Sequence, residues 1–139
     1  MIKILLADNR FRLDEKKLKS LAAKVLKSES RPDGKLNIVY CNDRLITGLN
    51  TRYLNKRRAT DVLAFDLNGT KAEECQGEIY INLQQAKRQA RQVGVNYGEE
   101  VQRLTIHGIL HILGYDDTSE ASRRKMWNRQ ESYLNKWKK

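Results

Sequence analysis

A chain of 139 residues with 40% hydrophobic residues is long enough to bury a core as one domain, residues 1–139. Its formal net charge of +10 favours an anionic partner, nucleic acid first. No apolar run is long enough to span a membrane, the N-terminal run is too short for a signal peptide, and Cys41 and Cys75 lack Cys-x-x-Cys or metal-ligand spacing; a cytoplasmic protein with reduced, buried thiols and no membrane partner is expected.

Residues 2–7 read as a short buried strand, and Asp14 to about Lys27 as an amphipathic helix with Leu18, Leu21, Ala22 and Val25 on one side. Arg31-Pro32-Asp33-Gly34 is a turn around the only proline. Residues 36–41 alternate, with Leu36, Ile38 and Tyr40 on one face of a strand. Asn42-Asp43 starts a helix whose stripe is Ile46, Leu49, Asn50 and Tyr53. Lys56, Arg57 and Arg58 precede a strand over 60–65, which the turn signal Asn68-Gly69 ends. Asn68-Gly69-Thr70 also matches a glycosylation sequon, which means little without a secretion signal. After the acidic pair Glu73-Glu74 comes a strand over 77–82.

Asn82 with Gln85 caps the next helix, which carries Lys87, Arg88 and Arg91. Asn96 with Glu99 reads as a capping box for a helix over about 97–113. A last helix from about Ser119 holds Met126, Tyr133, Leu134 and Trp137, with Arg123, Arg124, Lys125 and Arg129 beside them. Four strands and about five helices in mixed order predict an α+β (mixed) fold: one sheet of about four strands, packed with helices around a central metal-binding helix.

The chemistry concentrates in residues 107–117, which hold both histidines of the chain. His107 and His111 are four apart and share one face of a helix. Gly114 is placed to end that helix, and Asp117 follows from chain that has turned back. Two imidazoles and a carboxylate suit one zinc ion per chain, with the fourth position left for water whose pKa falls to about 7. Ile106, Ile109, Leu110 and Leu113 form the core stripe of this helix. Leu104, His107, Gly108 and His111 form a second stripe on roughly the opposite side, where the bare backbone of Gly108 would admit a water, a substrate or another helix.

The histidine spacing is shared with the zinc proteases, whose second position is a Glu acting as general base; here that position is Gly108. The segment more closely resembles the YbeY family of metal-dependent endoribonucleases, His-Gly-x-Leu-His-x-x-Gly-Tyr-Asp-His. It matches at His107, Gly108, Leu110, His111, Gly114, Tyr115 and Asp116, with Asp117 in place of the last histidine. Thr60-Asp61-Val62-Leu63-Ala64-Phe65 is similar to the family's Thr-Asp-Val-Leu-Ser-Phe, and Gly77-Glu78-Ile79-Tyr80-Ile81 to its Gly-Asp-Ile-x-Ile. Leu54 stands where the family carries an arginine. The motifs run in the same order from about residue 36 onward.

The resemblance implies a zinc-dependent, single-strand-specific endoribonuclease that matures the 3′ end of 16S (small-subunit) ribosomal RNA and takes part in ribosome quality control. The implied partner is RNA, either ribosomal RNA or the small subunit, with no nucleotide cofactor. His107, His111 and Asp117 are the expected metal ligands. The harder oxygen of Asp117 would tolerate other divalent ions. Asp61, Glu78 and Asp116 are the candidate general bases, although such carboxylates also orient histidines or cap helices. Arg52, Lys56, Arg57, Arg58, Lys87, Arg88, Arg91 and Arg123 are candidate RNA contacts. The alternatives are a non-enzymatic RNA-binding ribosome-assembly factor with a structural metal, and a zinc metalloprotease.

Overall fold

The sheet is the frame on which the histidine helix is mounted. In a computed structural model, which describes residues 1–68 and 75–138, the elements are β1 (Ile2–Leu6), α1 (Glu15–Ser28), β2 (Lys35–Cys41), α2 (Asp43–Leu54), β3 (Val62–Asp66), β4 (Gln76–Asn82), α3 (Leu83–Val93), α4 (Tyr97–Ile112) and α5 (Glu120–Trp137). The strands form one sheet in the order β1-β2-β4-β3. β1, β2 and β4 are parallel, and β3 is an antiparallel edge. The expected α+β mixed architecture is the one found. The Asn68-Gly69 turn, the 68–70 sequon and the Glu73-Glu74 pair involve residues outside those described.

Period-two alternation sends the two sets of strand side chains to opposite faces. Leu36, Ile38, Tyr40, Ile79 and Ile81 enter the main core with α1, α3, α4 and α5. Cys41 and Leu63 enter a smaller cluster with Ile46 of α2 on the other face. β1 alternates buried and open positions along its length, so it is a one-sided edge strand and not the buried strand expected over residues 2–7. Both cysteines are free and buried; burial, with Asp43's charge adding, pushes the Cys41 thiol up to about 12, and burial also raises Cys75.

Helix α4 is central. It touches α1, α3, α5, β3 and β4, and its N-cap is Asn96, whose side chain accepts from the Glu99 N–H at 2.7 Å. The reciprocal half of that predicted capping box is replaced: the Glu99 carboxylate pairs with Arg103 and Lys138 instead. Asn82 likewise caps α3, accepting from the N–H groups of Gln84 and Gln85, while the Gln85 side chain turns to Gln89 and Arg88. Deep in the core, Thr105 donates to the Val101 carbonyl. Its oxygen is therefore the acceptor for the Tyr40 hydroxyl, 2.8 Å away, which pins α4 to β2.

The second stripe of α4 is not an open face. Leu104 and Gly108 are buried with Ile106, Ile109 and Leu110, while His107 and His111 are half-buried. A Cβ at Gly108 would lie 2.5 Å from Ile79 Cγ2, and one at Gly77 of β4 would lie 2.5 Å from Ile112 Cδ1. Each glycine accommodates an isoleucine of the other element, so α4 packs tightly on β4. The bare backbone at Gly108 thus serves helix–sheet packing, not the approach of water or substrate. A Glu at this position, as in the zinc proteases, would point into the sheet.

Candidate metal centre and the cavity beside it

One helical turn separates His107 from His111, and their rings meet edge to face with centroids 4.7 Å apart. Their Nε2 atoms are 3.2 Å apart. Two nitrogens bound to one tetrahedral zinc at about 2.0–2.1 Å each would be about 3.3 Å apart. The pair therefore fits two positions around a single ion.

The tautomer of His107 is fixed from α5. Gln130 is 2% exposed. Its Nε2 donates to Glu131 Oε2 at 3.1 Å, and its Oε1 lies 2.7 Å from His107 Nδ1. A carboxylate only accepts, so the amide nitrogen faces Glu131 and the amide oxygen faces His107. Nδ1 then carries the proton and Nε2 presents its lone pair toward His111. Behind this, Arg103 donates to Glu131 at 2.9 and 3.0 Å and to Glu100 at 2.6 Å. Burial works to raise the Glu131 carboxyl, but the hydrogen bonds and charge of Arg103, with Gln130, hold it below its usual value. Gln130, Glu131, Glu100 and Arg103 were not picked out from the sequence. The available signal was a polar residue, Gln130, at core spacing between Met126 and Tyr133.

Burial, and then the charge of His107, lower the pKa of His111, opposed by Asp117, the Tyr115 backbone and Asp116. The net effect favours the neutral imidazole that a metal requires. Asp117 is exposed, and it does not close on the histidines: among the described residues no three His, Cys, Asp or Glu side chains gather tightly enough to hold a metal ion. The loop carrying it is nevertheless anchored. Gly114 turns the chain with φ 100°. The Tyr115 hydroxyl donates to Glu29 at 2.8 Å. Asp116 accepts from the N–H and hydroxyl of Thr118 at 3.2 and 2.9 Å. Ser122 and then Thr118 hold the Asp116 carboxyl below its ordinary value. Arg123 donates to the Asp117 carbonyl at 3.2 Å.

The structure separates the three candidate bases. Asp61, just ahead of β3, lines a cavity of about 480 Å³ that is also lined by His107, Glu100, Arg103 and Gln130. Asp116 is occupied in the loop turn. Glu78 alternates with Gly77 and Ile79, which face α4, and shares the opposite face with Tyr80 and Phe65, so the sheet lies between it and the histidines.

It also separates the cations. Arg88, half-exposed, is paired with Asp43 at 2.7 and 3.0 Å and with Gln85 at 2.8 Å. Arg123 braces the Asp117 loop through its backbone contact. Lys87 lies 5.9 Å from the ring centres of both Phe11 and Tyr97. Arg52, Lys56, Arg57, Arg58 and Arg91 are exposed, and so is Leu54, 47% open at the end of α2.

Comparison with known proteins gives one consistent result. The family model described as endoribonuclease YbeY matches residues 3–138, extending toward the N-terminus past the region where motifs are legible. A Desulforamulus reducens protein named endoribonuclease YbeY is 38% identical over 127 residues, 86% of this chain and 83% of that one. One of the same name from Chlorobaculum parvum is 35% identical over 124 residues, 89% and 86% of the two chains. The solution structure of TM1509 from Thermotoga maritima superposes with a TM-score of 0.69 at 29% identity, covering 96% of this chain and 87% of that one.

Proposed function

We infer the chemistry from one premise: the chain belongs to the YbeY family of endoribonucleases and is a hydrolase acting on RNA. On that premise the protein is a zinc-dependent, single-strand-specific endoribonuclease of the cytoplasm, acting on ribosomal RNA at the 3′ end of the small-subunit species and in ribosome quality control. The observation that carries the metal assignment is the approach of two imidazole nitrogens to 3.2 Å, the His107 ring being oriented by Gln130 and lining a cavity. His107 and His111 would hold the ion, with the exposed carboxylate of Asp117 as the third ligand. When bound, the ion acts as a Lewis acid that acidifies water and offsets charge on the phosphoryl oxygens.

The remaining work falls to the protein's own groups. Asp61 shares the cavity with His107 and is the general base, taking the proton of the attacking water. Arg52, Lys56, Arg57, Arg58 and Arg91 hold the RNA backbone, so affinity falls steeply with salt. Unstacked single strands can lay a phosphate against a half-buried histidine pair, whereas a duplex keeps its backbone on a rigid cylinder. The protease alternative lacks a position for its glutamate, because Gly108 faces Ile79.

The test is metal content, measured together with cleavage of a single-stranded RNA before and after chelation. About one zinc per chain is expected, with cleavage lost on chelation and restored by zinc. Cleavage that persists in the chelated, metal-free protein would overturn the metal assignment.

Two further results are expected. Asp61→Asn lowers kcat by about 10²–10⁴-fold, the usual weight of a general base, and leaves bound zinc unchanged. A normal kcat, or an equal loss of metal, would remove Asp61 from that role. Gln130→Leu removes the acceptor that orients His107 and weakens zinc affinity by about 10–100-fold. Competition with a chromogenic chelator reads this directly, and unchanged affinity would sink the orienting role.

A further inference from the structure

The cavity beside the histidine pair is larger than a water and a proton acceptor require, and its chemistry does not suit a phosphate. Asp61 and Glu100 both line it, and its one cation, Arg103, has its guanidinium already taken by Glu100 and Glu131. The Gln89 amide nitrogen is likewise engaged, donating to Glu100 at 2.9 Å. An anion entering here would meet carboxylates with no available positive partner in the wall.

Beside the amides of Gln92 and Gln130, the remaining wall is apolar: Val93 at the end of α3, Val95 just beyond it, Leu104 of α4 and Trp127 of α5. Two of these are among the chain's most exposed large hydrophobic residues, Val93 at 65% and Trp127 at 55%. They come from different helices and flank the same cavity, which is continuous with His107. Trp127 does not belong to the core: its neighbour Met126 is the buried member of that turn of α5.

We propose that this cavity is a nucleobase subsite, in which the base of a nucleotide next to the scissile phosphate stacks on Trp127. This rests on the endoribonuclease reading and deepens it. A flat, uncharged base with N–H donors suits an apolar slot lined by acceptors. Its phosphate stays outside, at the histidine pair and the basic surface. Stacking on an aromatic ring tolerates any base, so the subsite selects for the presence of an unstacked base, which a paired strand does not offer.

The test uses the full chain with Trp137→Phe, which leaves Trp127 as the sole tryptophan. It is titrated with a short single-stranded RNA and with the same RNA carrying one abasic residue at each position in turn. The base-bearing RNA is expected to quench Trp127 fluorescence, and an abasic residue at one position to weaken binding about tenfold or more and abolish the quench. Cleavage of the same RNAs is followed in parallel. Trp127→Ala, at an exposed position, is expected to fold normally and to cleave intact and abasic RNA with equal kcat/KM. Quenching without cleavage would uphold the subsite and overturn the nuclease reading. Cleavage with no quench, and no dependence on any single base, would overturn the subsite and leave the nuclease standing. Neither quench nor cleavage would overturn both.

Discussion

Replacing His111 with alanine is expected to reduce cleavage of single-stranded RNA at least about a thousandfold, since a catalytic metal supplies several kcal/mol and each 1.4 kcal/mol is about a decade in rate. Bound zinc should fall from about one per chain to a small fraction. The fold should survive, because the His111 side chain is only half-buried and the turns of α4 on either side are held by Ile109, Leu110 and Ile112. RNA affinity should change little, because the exposed cations that hold the backbone are untouched. Cleavage, metal content, circular dichroism and RNA binding measured on one preparation separate the possible roles. A large fall in Tm in the mutant and on chelation of the parent would instead make the ion a structural one. Unchanged cleavage would remove His111 from the site.

Gly108→Val is expected to be strongly destabilising at the α4–β4 contact. Even the first added carbon meets Ile79 Cγ2 at 2.5 Å and Val62 Cγ2 at 3.4 Å. Overpacking of this kind costs about 1–3 kcal/mol for small additions and more when the backbone must move. The helix-propensity gain over glycine, below about 1 kcal/mol, offsets only part of it. Gly108→Ala should show a smaller loss of about 1–2 kcal/mol on the same scales. Pairing Gly108→Ala with Ile79→Ala supplies the control. The cavity left by the isoleucine accepts the new methyl, so the double mutant should lose less than the sum of the two single losses, by about 0.5–3 kcal/mol in denaturant melts. Additive losses would mean that the two side chains do not meet. Because Gly108 lies between the two histidines on α4, the same displacement should weaken zinc binding in variants that remain folded.

Much of this could be read from the linear chain, for reasons that are local. Helix α4 is set by Asn96 at its start and Gly114 just beyond its end, and both act within one turn. The i, i+4 spacing alone brings His107 and His111 onto one face. Leu36, Ile38 and Tyr40 announced the buried face of β2 through simple alternation. The seven matching positions in the histidine segment carried the family. What the sequence could not resolve were relations between elements. Glu78 and Asp61 looked equivalent as bases, yet β4 turns one away from α4 while the entry to β3 brings the other to the cavity. Nothing near Arg88 in the sequence announces that Asp43, forty-five residues away, pairs with it at the surface.

The same division explains the metal centre. That two imidazoles face one point follows from the order of residues alone, because helix geometry converts a spacing of four into a shared face. How they are held depends on elements distant in the chain. The buried amide of Gln130 and the carboxylate of Glu131 come from α5, and the space for Gly108 is cut to the shape of an isoleucine on β4. Those contacts depend on which side chains meet after the chain has folded back on itself, and no periodicity along α4 encodes the partner that another element will bring.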